Sequence, residues 1–314
     1  DNTNLLANID VQGGYLQLAN SDAAGPSGTT GSVIVEDGAS LELSGGINLP
    51  QYESIILNGL PVTSAEKLMS VTGNNEVRGP VVLAADQTIG AAAESILVLS
   101  GAIGETGGPY VLTVTNDSAV STILNADNSG FEGTITVNGG TLTVANSNAL
   151  GDSSTSTTTT ILNGASFGIV NGITLPSSKS LSLVGGAAGT VDKLINVLGD
   201  NEIQGDVSLS LNDQTVNVGT GNTLTISGAV SGSVNLVKDG AGTLVLSGTN
   251  PISGSVTASA GTLSVDGSLP NAPLLTVDGT LSGTGTLGPV SFTSTGVLAP
   301  GHSPGIITTG DLTL

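Results

Sequence analysis

The chain has no cysteine and no tryptophan among its 314 residues, a single methionine and a single histidine, and only three tyrosines and three phenylalanines. Absent cysteine removes disulfides, thiolate nucleophiles and thiolate metal sites together. Aromatic residues make up 2%, too few to line a site with the platforms on which glycan-active enzymes seat sugar rings. Basic residues are nearly as scarce: Lys and Arg number 5 against 25 Asp and Glu, a formal charge of −20. Such a chain is repelled by nucleic acid and by anionic membranes. No apolar run approaches the roughly 20 residues of a membrane-spanning helix; the longest candidate, Ala91 to Ile103, is interrupted by Glu94 and Gly101. The sequence opens at Asp1 without an initiator Met or an apolar leader, and reads as a processed or excised piece of something longer.

What is abundant is glycine, 47 residues, with Ser and Thr, on a background that is still 38% hydrophobic. The aliphatic residues recur regularly, so the chain buries a core that is aliphatic and thin. They recur because the chain repeats itself. Gly38-Ala39-Ser40, Gly46-Ile47 and Leu49-Pro50 return at a constant offset (164 − 38 = 126) as Gly164-Ala165-Ser166, Gly172-Ile173 and Leu175-Pro176. The same shift carries Lys67-Leu68 onto Lys193-Leu194, Asn75-Glu76 onto Asn201-Glu202 and Gly79 onto Gly205. With one residue added, Asp86-Gln87-Thr88 and Ser100-Gly101-Ala102 return as Asp213-Gln214-Thr215 and Ser227-Gly228-Ala229. Self-similarity of this kind marks repeat architecture.

A shorter period runs inside the long one: Leu224, Leu244, Leu263 and Leu281 follow one another in steps of 20, 19 and 18. Around them apolar and polar residues alternate, as in Thr134-Ile135-Thr136-Val137 and Leu142-Thr143-Val144, the signature of strands with one buried face. Asn-Gly and Asp-Gly dipeptides punctuate the strands, at Asp37-Gly38, Asn58-Gly59, Asn163-Gly164 and Asp239-Gly240 among others. These are also hairpin signals, so a meander competes with a coil of parallel strands. The even short spacing favours the coil, with Gly and Asn turning its corners and Asn amides bonding between rungs. At that spacing the chain makes roughly 16 rungs of an elongated all-β solenoid. Ser64 to Ser70 and its copy Thr190 to Asn196 read as short helical turns or equally as strands. Ser153 to Thr160 is of low complexity, a flexible or glycosylated bridge or, better, a Thr-faced strand.

Leu236, Lys238, Gly240, Gly242-Thr243-Leu244, Leu246, Gly248, Asn250, Gly254 and Gly261-Thr262-Leu263 resemble the autotransporter-associated β-strand repeat of Gram-negative autotransporter passengers. Ile252 stands where that repeat usually has an aromatic, and an earlier copy keeps it as Phe131, followed by Gly133 and Gly140-Thr141-Leu142. Leu298-Ala299-Pro300-Gly301-His302-Ser303-Pro304-Gly305 resembles a second element common near the end of these repeats. The resemblance implies a single-stranded right-handed parallel β-helix exported across the outer membrane to the cell surface, with C-terminal rungs that assist secretion. It covers about a quarter of the chain directly, and the long repeat extends it: residues 1–314 form one continuous β-solenoid, with related long repeats at about 33–150 and 159–270 and a C-terminal repeat segment 271–314.

Enzyme chemistry finds little purchase. Asp200 and Glu202, two apart on one side of a strand, and Asp239, pairing one rung away, are the candidates for a carboxylate pair; without neighbouring bases or aromatics they read as solvated carboxylates. The five cations, Lys67, Arg78, Lys179, Lys193 and Lys238, are dispersed, and the repeat of Lys67 as Lys193 reads as structural. His302 beside Ser303 is not a catalytic pair on adjacency alone. The turns Gly73-Asn74-Asn75-Glu76 and Gly199-Asp200-Asn201-Glu202 offer oxygen ligands for calcium, but read better as structural corners. No catalytic residue, metal ligand or cofactor is assigned. The expectation is a non-catalytic structural or adhesive module of the cell surface, whose partners are host or neighbouring cell-surface molecules, with the segments Gly104 to Tyr110 and Leu49 to Pro61 as candidate recognition loops. The alternatives are a filament subunit stacking end to end on itself, and a glycan-binding or glycan-degrading β-helix enzyme.

Overall fold

Alternation of apolar and polar residues is realised throughout as short strands. The computed structural model describes residues 8–25, 28, 30–59, 66–117, 120–186, 192–301 and 305–314, and among these the chain is all β, with no helix. Every strand pairing described is parallel, which excludes the meander: the Asn-Gly and Asp-Gly dipeptides turn the corners of a solenoid. The two ambiguous segments become strand from Leu68 and from Leu194, within Leu68–Val77 and Leu194–Leu198, after a bend at Lys67 and at Lys193; Ser64, Ala65, Thr190 and Val191 lie outside the described residues. The low-complexity stretch ends in the strand Thr157–Ile161.

The chain divides into two compact units, Asp1–Thr159 and Thr160–Leu314. In the N-terminal unit one wall stacks Ile9–Val11, Gly31–Val35, Glu53–Leu57, Val81–Leu83 and Ile103–Glu105. Register places Val33 beside Ile55 and Ile55 beside Val81, all essentially inaccessible to solvent. In the C-terminal unit Leu224, Leu244, Leu263 and Leu281 form one fully buried ladder. Each such side chain contributes about 1.5–3 kcal/mol by leaving water, and alternation sends its neighbours outward.

The short spacing holds along that ladder and its C-terminal neighbours, as where Leu236 stacks on Val256 and Val256 on Leu275, but not through most of the chain before them. Leu41 stacks on Leu68 and Phe167 on Leu194, a step of 27 in both cases, and Thr174 stacks on Glu202, a step of 28. Rungs therefore shorten toward the C-terminus, and the chain makes about 13 turns rather than the larger number that the short spacing implies. The longer rungs carry the extra residues in corners and bulges, as at Leu43/Ser44 and Ile169/Val170 where register shifts.

Corner glycines have two distinct jobs. Gly38 and its copy Gly164 have φ of 70° and 80°, the left-handed conformation that side chains resist. A second set sits in a column, Gly205, Gly228, Gly248, Gly267 and Gly285, without positive φ. A Cβ on Gly205 would lie 1.9 Å from the Lys179 carbonyl oxygen, and one on Gly228 2.2 Å from that of Gly205. Here glycine is required because successive backbones touch.

Candidate functional site

The solenoid interior is not purely apolar. Lys67, Lys179, Lys193 and Lys238, four of the five cations, are at most 1% exposed, against the expectation that lysines face solvent. Three of their ammonium groups meet carbonyls freed where the chain turns. Lys67 Nζ donates to Glu36 O (2.5 Å) beside the Asp37-Gly38 corner. Lys193 Nζ donates to Leu162 O and to Ala165 O (2.9 Å), which flank Asn163-Gly164. Lys238 Nζ donates to the carbonyls of Asp239 (2.9 Å), Gly240 (2.7 Å) and Ala260 (3.0 Å). Burial pulls Lys193 and Lys238 down from 10.5 to about 8, partly opposed at Lys238 by Asp239. Interior glutamines serve the same corners: Gln87 donates to Leu57 O and Gly59 O, and its copy Gln214 to Gly185 O, Ser210 O and Asn212 O.

Asparagine does parallel work. Asn75 is fully buried; its Oδ1 accepts from Ile47 N–H (2.9 Å), and its Nδ2 donates to Ser70 Oγ (2.7 Å), Thr72 O (3.0 Å) and Leu43 O (3.2 Å). Asn201 repeats this with Ile173 N–H (2.8 Å), Asn196 Oδ1 (2.5 Å) and Leu198 O (2.9 Å). The two turns offered for calcium thus direct the Asn75 and Asn201 amides inward to backbone and side-chain groups of the protein. Among the described residues no group of three or more His, Cys, Asp or Glu comes together.

Two of the three candidate carboxylates are tied to the rung that follows them. Asp200 Oδ1 accepts from Thr223 N–H (2.8 Å) and Glu202 Oε1 from Ser227 Oγ–H (2.6 Å). Glu76, the copy of Glu202, accepts from Ser100 Oγ–H (2.7 Å) and pairs with Arg78 at 2.8 Å; the Arg78 hydrogen bond is the main reason its carboxyl lies below the ordinary range. Asp239 stacks on Asn217, not on a second carboxylate. His302 and Ser303 lie outside the described residues. Of the candidate loops, Gly104 to Tyr110 folds on itself, Glu105 Oε1 accepting from Tyr110 N–H (2.6 Å) and Tyr110 OH donating to Thr106 O (3.3 Å). Leu49 to Pro61 displays Tyr52, 46% exposed, and its last two residues lie outside the described ones.

The dispersal of the cations along the sequence does not by itself announce their burial, although the sequence carries a signal for it. In Leu236-Val237-Lys238-Asp239, Lys238 shares the inward parity of Leu236. The resembling repeat now has a physical account. Phe131 and Ile252 fill the core, Gly133 and Gly254 pass against the carbonyls of Tyr110 and Val234, and Asn250 bonds Val230 N–H and Ser268 O.

Residues 121–144 and 236–265 match the Passenger-associated-transport-repeat family. The chain is also 40% identical over 78 residues to an extracellular serine protease of Serratia marcescens, an overlap of 25% of this chain and 8% of that protein. No solved structure matches the chain. With a β-solenoid fold, these matches support an autotransporter passenger domain and suggest an extracellular or cell-surface location.

Proposed function

We propose that this passenger segment is a structural and adhesive module without catalytic activity, reaching the cell surface by export across the outer membrane. The observation that carries this reading is the division of labour between inside and outside. Interior groups such as Lys193, Lys238, Asn75 and Asn201, with the candidate carboxylates Asp200 and Glu202, are engaged in bonds that hold rungs together, while outward positions include ladders of uncharged side chains. Thr223, Thr243, Thr262 and Thr280 stand in register on one face of the C-terminal unit, and Ser182, Ser208 and Ser231 on another. Such ladders suit many weak contacts made together, whose combined avidity exceeds any one of them. The protease likeness covers a small part of that enzyme and supports no proteolytic activity here.

The test is to incubate the purified chain with polysaccharide and protein substrates and, separately, with cells. The expected outcome is no turnover and saturable retention on cell surfaces, weakened by Thr243→Arg with Thr262→Arg. Turnover abolished by Asp200→Ala or Glu202→Ala would replace this reading with an enzymatic one. A second reading, end-to-end association, draws on the exposed strand Val297–Pro300, with Val297 at 51% and nearby Ile306 at 81% exposure. Sedimentation across a concentration series separates it, since uniform monomers would exclude it.

A further inference from the structure

Glu53 is the one buried ionisable side chain in the described residues of the N-terminal unit without a polar contact. It opens the strand Glu53–Leu57 in an inward position, is 1% exposed, and neither carboxylate oxygen has a hydrogen-bond partner. Its space is made by a neighbour that lacks a side chain: a Cβ on Gly31, its register partner, would lie 2.7 Å from Oε2 and 3.0 Å from Oε1.

Among the described residues nothing nearby supplies a counter-charge. The strands packed on either side, Gly31–Val35 and Val81–Leu83, contain no titratable residue. The adjoining Tyr52 is half exposed. This unit has two cations in all, Lys67 and Arg78. Lys67 is directed to the Glu36 carbonyl with Asp37 and Glu36 as its electrostatic neighbours, and Arg78 is paired with Glu76. Moreover the long repeat sets Lys179 at the equivalent position of the other unit, also buried. An acidic side chain here is therefore particular to the N-terminal unit and is not demanded by the fold.

We propose that Glu53 is held in the folded protein as a neutral carboxylic acid, making the first rungs of the N-terminal unit a pH-responsive element that is firmest in acid and loosens as the surroundings turn neutral and alkaline. An ionised carboxylate without partner or counter-charge is costly to bury, whereas the protonated acid is much less so. Burial accordingly raises the group above its ordinary 4.5, with no charged neighbour contributing. The direction of linkage follows. Folded Glu53 keeps its proton at pH values where the unfolded chain has released it, so its stability contribution is complete below about 4.5 and declines as pH rises through the folded value.

The test uses the full chain labelled with 13C at glutamate carboxyls. One resonance is expected to keep the shift of a neutral acid at a pH where the other glutamates have ionised, and to be missing from Glu53→Gln. In parallel, hydrogen exchange of Gly31–Val35 and Glu53–Leu57 is followed during urea titration from pH 4 to pH 8. Wild type and E53Q are expected to open at the same urea concentration at pH 4, with E53Q resisting to higher urea at pH 8. If all glutamate resonances titrate together, or the two opening profiles stay parallel over the whole range, the proposal is overturned. The wild-type resonance decides the matter even if the variant does not fold.

Discussion

At the corner where the N-terminal unit buries Asn75, the C-terminal unit buries Asn201, and the two side chains engage equivalent partners one by one: Ile47 and Ile173, Ser70 and Asn196, Thr72 and Leu198. Lys67 and Lys193, Gln87 and Gln214, and the pairs Glu76–Ser100 and Glu202–Ser227 correspond in the same way. Many outward positions do not correspond. The ladder Ile34, Ile56, Val82 of the first unit meets Ser182 and Ser208 in the places of Ile56 and Val82. The difference separates what the coil needs from what it tolerates. A buried polar group without a partner is penalised in every copy, whereas an outward side chain on a half-covered sheet face is held by little beyond its β propensity.

The largest effects should come from breaking the shared interior. Asn75→Ala and Asn201→Ala each orphan an N–H and at least one carbonyl, and at about 1–3 kcal/mol for each stranded group the loss is about 4 kcal/mol. Urea unfolding should show similar losses for both; a loss under about 1 kcal/mol at either position would mean that the corners are not equivalent. Next come the close-approach glycines. Gly101→Ala and its copy Gly228→Ala place a Cβ 1.8 Å and 2.2 Å from the preceding carbonyl oxygen, so the rungs must part, at a cost of about 3 kcal/mol. Gly13, with nothing within 4 Å and no positive φ, is the control, and its Ala variant should unfold with the wild type.

A smaller effect distinguishes the units by pH. Lys193 and Lys238 release protons near pH 8 in the fold but near 10.5 in the unfolded chain. Because the unfolded chain then holds more protons, the stability of the C-terminal unit should rise between pH 8 and 10.5. Thermal melts in that window should show the rise, and Lys193→Met with Lys238→Met should flatten it. This slope is opposite in sign to the one that Glu53 gives the first unit at lower pH.

Much of the architecture is legible in the residues alone. The long repeat, alternation at Thr134 to Val137 and corner dipeptides such as Asp37-Gly38 suffice for stacked parallel strands, and the twofold occurrence of Glu76 and Glu202 marks them as structural. Rung length is not legible, because the Leu224 to Leu281 ladder, which carries the clearest short period, samples the shortest turns. The inward lysines are obscured by a general tendency. Lysine is rarely buried, and only a converging set of corner carbonyls, which depends on three-dimensional register, makes Lys193 an exception. The column of Gly205, Gly228, Gly248 and Gly267 is visible in the sequence as steps of 23, 20 and 19, but its cause, contact between backbones, is a property of stacking alone.

The smallest effect is expected where the units already differ by natural exchange. In the N-terminal unit Ser44 Oγ and Thr72 Oγ1 share a hydrogen bond of 2.8 Å at a bulge; the C-terminal unit has Val170 and Leu198 there, with Leu198 59% exposed. The backbone bond beneath survives in both, Gly45 N–H to Thr72 O (2.8 Å) and Asn171 N–H to Leu198 O (3.0 Å). Converting one exterior into the other by Ser44→Val with Thr72→Leu should therefore change stability by no more than about 0.5 kcal/mol, the range of surface exchanges. What it should change is adhesion, since it replaces hydroxyls with an apolar step on the outer face. If the double variant instead unfolds at much lower urea, the hydroxyl pair is part of what holds the bulge, and the line between required interior and free exterior falls one residue further out.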